Sequence, residues 1–572
     1  MARGRVLPGR WRTADSGGVG EDSALLQLWH KNAILYCLDV ETFQDSNGDG
    51  IGDFQGLTSR VNYLSGLGIT CVWLMPFYPT PNRDNGYDVK DYFSIDPRLG
   101  DLGDFVDFMQ AADEHGIRVI IDLVVNHTSI KHPWFQQARS SPTSRYRDYY
   151  LWSQEKPADA DKDLVFPGIE SSKWTFDEQA GEYYFHRFYS HQADLNIANP
   201  EVREKIRQIM AFWLRLGVSG FRVDAAHYLV ELNAASHPEV DDPYEYLVEF
   251  RNYLSWYRGD AILLAEADIP MEEVPKYVGQ GERLQMMFSF TMSQNIMLSL
   301  VQGNADAIRN ALRSRPPLPH NCQWASFLRN HDELAINRLS EEQQAEVYEA
   351  FAPDEGMRLY DRGIRRRLPP MLHGDWRRIK LAQSLLFALP GTPVLRYGEE
   401  IGMGEDLSLP ERNSVRTPMQ WNRSHAGGFS AAPKEQLIRP AIDKGEFRYQ
   451  NINVANQERD SDSLLSLTEN LIRIRKEHMA LGWGAAVLLQ TDNPQVLAHR
   501  CDWQGTTVIV VHNLGADGCS TQVEIDLADD QRLNELLADG SYPSTDSLDR
   551  PLKLEGYGFR WFELESKPPM IA

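Results

Sequence analysis

Eight short apolar runs recur along the first two-thirds of the chain: AILYCL (33–38), TCVWLM (70–75), RVIIDLVV (118–125), GFRVDA (220–225), AILLAEA (261–267), MMFSF (286–290), WASFL (324–328) and PVLRY (393–397). Each is rich in β-branched or aromatic residues and nearly continuous in apolarity, the pattern of strands buried on both faces. Between them lie stretches with helical spacing, such as DFVDFMQAADEHG (104–116) and PEVREKIRQIMAFWLRLG (200–217). The second opens on Asn199-Pro200, a capping residue followed by proline in the first turn, and closes at Gly217. Eight strands alternating with helices predict an α/β fold, a (β/α)8 TIM barrel. A doubly wound open sheet is the alternative, but no GxGxxG follows the first run.

Two segments break the alternation. Residues 126–193 are an aromatic-rich excursion too long for a βα loop, expected to be a subdomain inserted after the third strand. Residues 337–380, after the seventh strand, carry the basic run RGIRRRL (362–368), which reads either as a solvated helix face or as a lid over the barrel mouth. Beyond about 480 the period changes to two, in VLAHRC (496–501), TTVIVVHNL (506–514), TQVEIDL (521–527) and YGFRWFELE (557–565). The expected division is therefore a flexible tail over 1–24, a barrel over 25–125 and 194–479 with the lid 337–380 inside it, the insertion 126–193, and a C-terminal antiparallel β-sandwich domain over 480–572.

Composition narrows the class of partner. The 572 residues are 42% hydrophobic and 24% charged, ordinary for a globular chain. Lysine and arginine number 58 against 81 acidic residues, a net charge of −23, so neither nucleic acid nor an anionic membrane is an expected partner. The five cysteines are scattered without a CxxC, and no run of 18 apolar residues occurs. The N-terminus lacks the apolar core of a secretory signal, so a reducing cytoplasm is the expected location.

In a barrel of this kind, chemistry gathers where the strands end. The third run stops at Asn126-His127, the fourth at Arg222 and Asp224, the fifth at Glu266 and the seventh at His331-Asp332. A single carboxylate at a strand end is often only a helix cap. Three carboxylates from three strands, with two histidines and an arginine, fit glycoside cleavage, which needs two carboxyl groups in different protonation states. Arg222 and Asp224 share a strand face, so the guanidinium should keep Asp224 ionised; burial behind AILLA should raise Glu266. Asp268, two residues further on, should alter the acidity of Glu266 or select a different leaving group. A metallohydrolase site is the alternative, without HxH or HExxH spacing to support it.

Residues 45–53 read DSNGDGIGD. Oxygens at alternate positions with glycines for the tight turn suit calcium: side chains of Asp45, Asn47, Asp49 and Asp53, and the carbonyl of Ile51. A metal-free loop of Asx turns is the other reading.

The blocks GYDV (86–89), DLVVNHT (122–128), QADLN (192–196), GFRVDAAHYL (220–229), RNHDE (329–333) and GTPVLRYGEEIGM (391–403) resemble glycoside hydrolase family 13, the α-amylase family. Within it, DSNGDGIGDFQGL (45–57), HTSIKHPWFQQARS (127–140) and IGMGEDLSLPERNSVRTPMQW (401–421) are similar to its trehalose-synthase group, which interconverts maltose and trehalose. The resemblance implies a retaining enzyme with Asp224 as nucleophile, Glu266 as acid/base and Asp332 as stabiliser of the transition state. It implies that Asp88, His127, Arg222, His331 and Arg412 hold the sugar, and that a second calcium is bound by Asn126, Asp194, Tyr228, Leu229 and Glu231. The expected substrate is a small α-glucoside of the maltose, trehalose or sucrose class, with a homodimer implied as well. An exo-α-glucosidase or a glucosyltransferase to another acceptor is the alternative activity, and an inactive sugar-binding relative the remote one.

Overall fold

The computed structural model of the chain describes residues 28–230, 242–525, 531–545, 547–548 and 550–566. The expected tail lies outside the described residues, as does Glu231.

All eight apolar runs form strands: β1 (Leu35–Leu38), β2 (Cys71–Leu74), β3 (Arg118–Leu123), β4 (Gly220–Val223), β5 (Ile262–Ala265), β6 (Met286–Phe288), β7 (Gln323–Ser326) and β8 (Thr392–Arg396). Neighbouring strands pair in parallel, and β1 meets β8 to close the barrel. Their side chains are buried almost without exception, which is why the runs show no alternation. The run MMFSF divides: its strand stops at Phe288, and Phe290 opens the helix Phe290–Gln302. The helix Pro200–Arg215 begins as expected, with the Asn199 side chain accepting from Glu201 N–H.

Between β3 and β4 the excursion folds into the helix Pro133–Ser140, a three-stranded sheet, and a strand pair, His127–Ser129 with Gln192–Asp194. After β7 come the helix Glu341–Phe351 and a small sheet joining Leu334–Ala335, Gly363–Ile364 and Arg358–Leu359. These two excursions meet above the barrel: Val165, Phe166 and Tyr189 from the first pack with Tyr360 from the second.

The C-terminal part is an antiparallel sheet of β9 (Ala485–Leu489), β10 (Val496–Trp503), β11 (Thr506–Asn513), β12 (Gln531–Ala538) and β13 (Phe559–Ser566), in the order β9-β10-β11-β13-β12. Two of these, β9 and β12, were not expected from the pattern, because their residues are half exposed or interrupted by polar positions. The run 521–527 contributes Thr521 to a short pair, Cys519–Thr521 with Leu552–Leu554, and Val523 to a bridge with Thr491, and its end lies outside the described residues. The sheet is tied to the barrel helix Trp376–Ala388 through Ser384, which His512 Nε2 meets at 2.9 Å and to which Trp561 Nε1 donates at 2.8 Å. All five cysteines are free thiols, four of them buried. No described helix is long and apolar enough to cross a membrane.

Candidate active site

The barrel ladder continues past the strand ends and fixes the polar residues there. Asp224 N–H donates to Leu123 O (3.2 Å) and Glu266 N–H to Val223 O (3.0 Å), so both carboxyl groups stand on the rim of adjacent strands. One guanidinium joins them: Arg222 Nη1 lies 2.6 Å from Asp224 Oδ1 and Nη2 lies 2.8 Å from Glu266 Oε2. The same Nη1 is 2.5 Å from Asp122 Oδ1 on β3. The residue after Asp224, Ala225, has a left-handed φ of 49°, and its N–H donates to Glu266 Oε2 at 3.1 Å. Asp332 faces the pair, held by Arg412 Nη1 (2.9 Å) and Arg416 Nη2 (2.8 Å).

Burial sets the acidities. It pushes Glu266 up to about 7 against the pull of Arg222, with Asp224 and Asp332 adding to the rise. It also lifts Asp224 to about 6, although Arg222 opposes this. Arg222 is shared among three carboxylates, so desolvation outweighs its share on Asp224. Asp332 is buried as well, yet Arg412 and Arg416 hold it well below the usual carboxylate range. Burial drives His331 well below its ordinary value, and His127 down to about 4, so both imidazoles are neutral.

These groups surround a cavity of about 420 Å³, within the range of small-ligand pockets. Asp224, Glu266, Asp332, His127 and Arg412 line it. Arg222 and His331 lie behind the wall: His331 Nε2 meets the Tyr87 hydroxyl at 2.8 Å, and the two rings stack, so Tyr87 presents the surface. Asp88 is not on the wall either. Its carboxylate accepts from Thr80 Oγ1 (2.7 Å), Arg83 N–H and Asp84 N–H (both 3.2 Å), bracing the 80–84 turn. The acid that lines the pocket is Asp84, four residues earlier, which takes a hydrogen bond from Gln192 (2.9 Å). Sequence reasoning missed Asp84, Tyr87, Asp122 and Glu333. Asp122 had a signal, as the one acid inside the apolar run RVIIDLVV.

The far end of the cavity is lined by Asp268, Phe290, Asn337 and Arg338 among others. Asp268 Oδ1 is paired with Arg338 Nε at 2.8 Å. The charges acting most on Glu266 are those of Arg222, Asp224 and Asp332.

In the loop 45–53 the acidic side chains are turned onto backbone N–H groups. Asp45 accepts from Asn47, Gly48 and Gly50, Asn47 from Asp49, Asp49 from Ile51, and Asp53 from Ser46 and Gly56. Gly48 and Gly50 take the left-handed conformations the turn requires, φ 81° and 94°. Among the described residues no three His, Cys, Asp or Glu groups converge as a metal site would need, although hard oxygens at 45, 47, 49 and 53 suit calcium in kind. At the second place, Asn126 Nδ2 donates to Asp194 Oδ2 (3.2 Å), and burial lifts Asp194 to about 7 with Arg187 opposing. Tyr228 packs against Phe188 and under the Arg187 guanidinium.

Residues 40–351 and 366–484 match the family described as alpha amylase, catalytic domain. The chain belongs to the alpha-amylase family. Residues 487–561 match the maltogenic amylase C-terminal domain. The chain is 41% identical to the trehalose synthase of Thermus thermophilus over 94% of its own length, and spans 56% of that relative. It is 38% identical to the trehalose synthase/amylase TreS of Mycolicibacterium smegmatis, covering 95% of this chain and 93% of that one. Among solved structures, the trehalulose synthase MutB of Pseudomonas mesoacidophila MX-45 superposes with a TM-score of 0.73 at 26% identity, over 94% of this chain and 99% of that one. The alpha-amylase from H. orenii superposes with a TM-score of 0.76 at 27% identity, over 94% and 100%. This alpha-amylase-family chain is an enzyme of trehalose-synthase type.

Proposed function

We propose that the enzyme interconverts maltose and trehalose by moving a glucosyl group between hydroxyls through an ester on Asp224. The observation that carries the reading is the cavity of about 420 Å³ on which Asp224, Glu266 and Asp332 converge, beside the place where the two excursions pack together. Asp224 attacks the anomeric carbon while Glu266, protonated near neutrality, gives its proton to the leaving oxygen. The released glucose turns within the pocket, and a different hydroxyl attacks the ester as Glu266 takes the proton back. Asp332, held ionised by its arginines, stabilises the positive ring of both transition states. Retaining enzymes hold their two carboxyl groups about 5 Å apart, and one guanidinium touching both supports such closeness. Asp84, His127 and Arg412 bind the glucosyl hydroxyls, and the roof keeps water from the ester.

The Asp268–Arg338 pair at the far end supports a second reading, in which another small acceptor or sucrose occupies that end. A MutB variant has been solved in complex with the substrate sucrose. The test is incubation with maltose, trehalose and sucrose separately. Trehalose from maltose with little free glucose is expected; glucose alone refutes the isomerase reading, and turnover of sucrose alone favours the second.

The loop Asp45–Asp53 is taken to hold calcium, whose charge would offset the clustered acids and stiffen the turn. Its self-satisfied hydrogen bonds support the metal-free reading, so metal content decides. A second calcium beside Asn126, Asp194, Tyr228 and Leu229 is supported by the desolvated Asp194 carboxylate. A cytoplasmic location is supported by five free thiols.

A further inference from the structure

The cavity roof is fastened by three residues, Tyr189, Tyr360 and Glu411, that stand behind the pocket wall rather than on it. Tyr189 comes from the excursion after β3 and Tyr360 from the one after β7. Both hydroxyls donate to one oxygen, Glu411 Oε2, at 2.7 and 2.8 Å, and they lie 3.0 Å from each other. Phe166, which lines the cavity, packs against both rings, with centroids 4.4 Å from Tyr189 and 4.6 Å from Tyr360. Glu411 therefore binds the two halves of the roof together and sets the ring that faces the sugar.

The next residue is Arg412, whose Nη1 holds Asp332 at 2.9 Å and whose Nε reaches Glu333 Oε2 at 3.1 Å. Its guanidinium lies 5.0 Å from the Phe166 ring centre and 5.3 Å from that of Tyr360. Glu333 in turn pairs with Arg362 at 2.8 Å, and Arg362 Nη1 donates to Val165 O at 2.7 Å, a second tie across the same seam. Glu411 itself has a left-handed φ of 45°, a conformation a non-glycine residue keeps only where its surroundings impose it. Consecutive residues thus join the roof to the group opposite the ester: Glu411 holds the tyrosines, and Arg412 holds Asp332.

We propose that Glu411 is a positioning residue that decides whether the glucosyl-enzyme reacts with a sugar or with water. With both tyrosines on Glu411 the roof is shut, Arg412 is seated on Asp332, and the retained sugar supplies the hydroxyl that attacks the ester. Without that acceptor the seam opens and water enters. Its oxygen attacks the anomeric carbon, the bond to Asp224 breaks, the proton passes to Glu266, and glucose is released. The inference rests on the glucosyl-transfer reading above and names the residues that enforce it.

The experiment measures free glucose against transfer product from maltose for the wild type, Glu411→Ala, Glu411→Gln, and the double variant Tyr189→Phe, Tyr360→Phe. Loss of two hydrogen bonds to a charged acceptor is expected to raise the hydrolysis-to-transfer ratio about tenfold or more in Glu411→Ala. Glu411→Gln, whose amide oxygen still accepts both hydroxyls, should return most of the wild-type ratio. The double phenylalanine variant keeps the ring packing and should behave as Glu411→Ala does. An unchanged ratio in folded Glu411→Ala overturns the proposal; if that variant does not fold, an unchanged ratio in the double variant does so. Should the wild type turn over no α-glucoside, the functional reading fails separately. The seam is then read from hydrogen exchange of residues 160–190 and 355–365, faster in Glu411→Ala if Glu411 fastens it and unchanged if it does not.

Discussion

One guanidinium, on Arg222, touches two carboxyl groups that the proposed reaction requires in opposite protonation states. Burial keeps both above ordinary values, Asp224 at about 6 and Glu266 at about 7, and the pair titrates as a unit. The signs give a narrow bell. Activity rises as Asp224 ionises through about pH 6 and falls as Glu266 loses its proton through about pH 7. A plot of kcat/KM against pH that stays flat from about 5 to 9 would refute these roles. Glu266→Gln should lower kcat by about 10²–10⁴-fold, and Asp224→Asn should stop turnover while the circular dichroism spectrum stays native. The neighbouring acids divide differently. Asp84→Asn is expected to lower kcat/KM by about ten- to a hundredfold through lost sugar hydrogen bonds. Asp88→Asn should act mainly on the melting temperature, since its oxygens hold the 80–84 turn. At this scale the triad was legible because each acid ends an apolar run. Asp84 was not: nothing in NRDNGYDV says which of its two acids turns toward the cavity.

Strand β4 carries Arg222 and delivers Asp224, and its place depends on its first residue. Gly220 has φ 149°, and a Cβ there would stand 2.3 Å from Ile262 O on β5. Gly220→Ala must therefore push β4 and β5 apart, at a cost of about 1–3 kcal/mol, and should lower activity along with stability in denaturant titration. An unchanged midpoint would mean that the strands tolerate the shift. The barrel strands were readable as elements because burial on both faces leaves an unbroken apolar run. The edge and outer strands of the C-terminal sheet were not, because polar positions interrupt β12 and β9 is half exposed. The positions of 126–193 and 337–380 as excursions were visible from length and composition. Their meeting at Phe166, Tyr189, Tyr360 and Glu411 was not, because it joins four residues far apart in the chain with no local pattern.

Over the whole molecule, two excursions meet at the barrel site and the β domain is fastened to the barrel helix Trp376–Ala388 through Ser384, His512 and Trp561. The calcium proposal belongs to this scale. If the Asp45–Asp53 loop binds the ion in the folded state alone, chelator should lower the melting temperature, with bound calcium near one per chain after dialysis. Metal-free protein with an unchanged melting temperature in chelator would favour the Asx-turn reading. In the proposed isomerisation the glucose released from maltose stays under the roof until it is used again. The most direct test is conversion of unlabelled maltose in the presence of excess isotope-labelled free glucose, with mass analysis of the trehalose formed. The account predicts trehalose essentially free of label; trehalose labelled in proportion to the free glucose pool, or glucose with no trehalose, would contradict it.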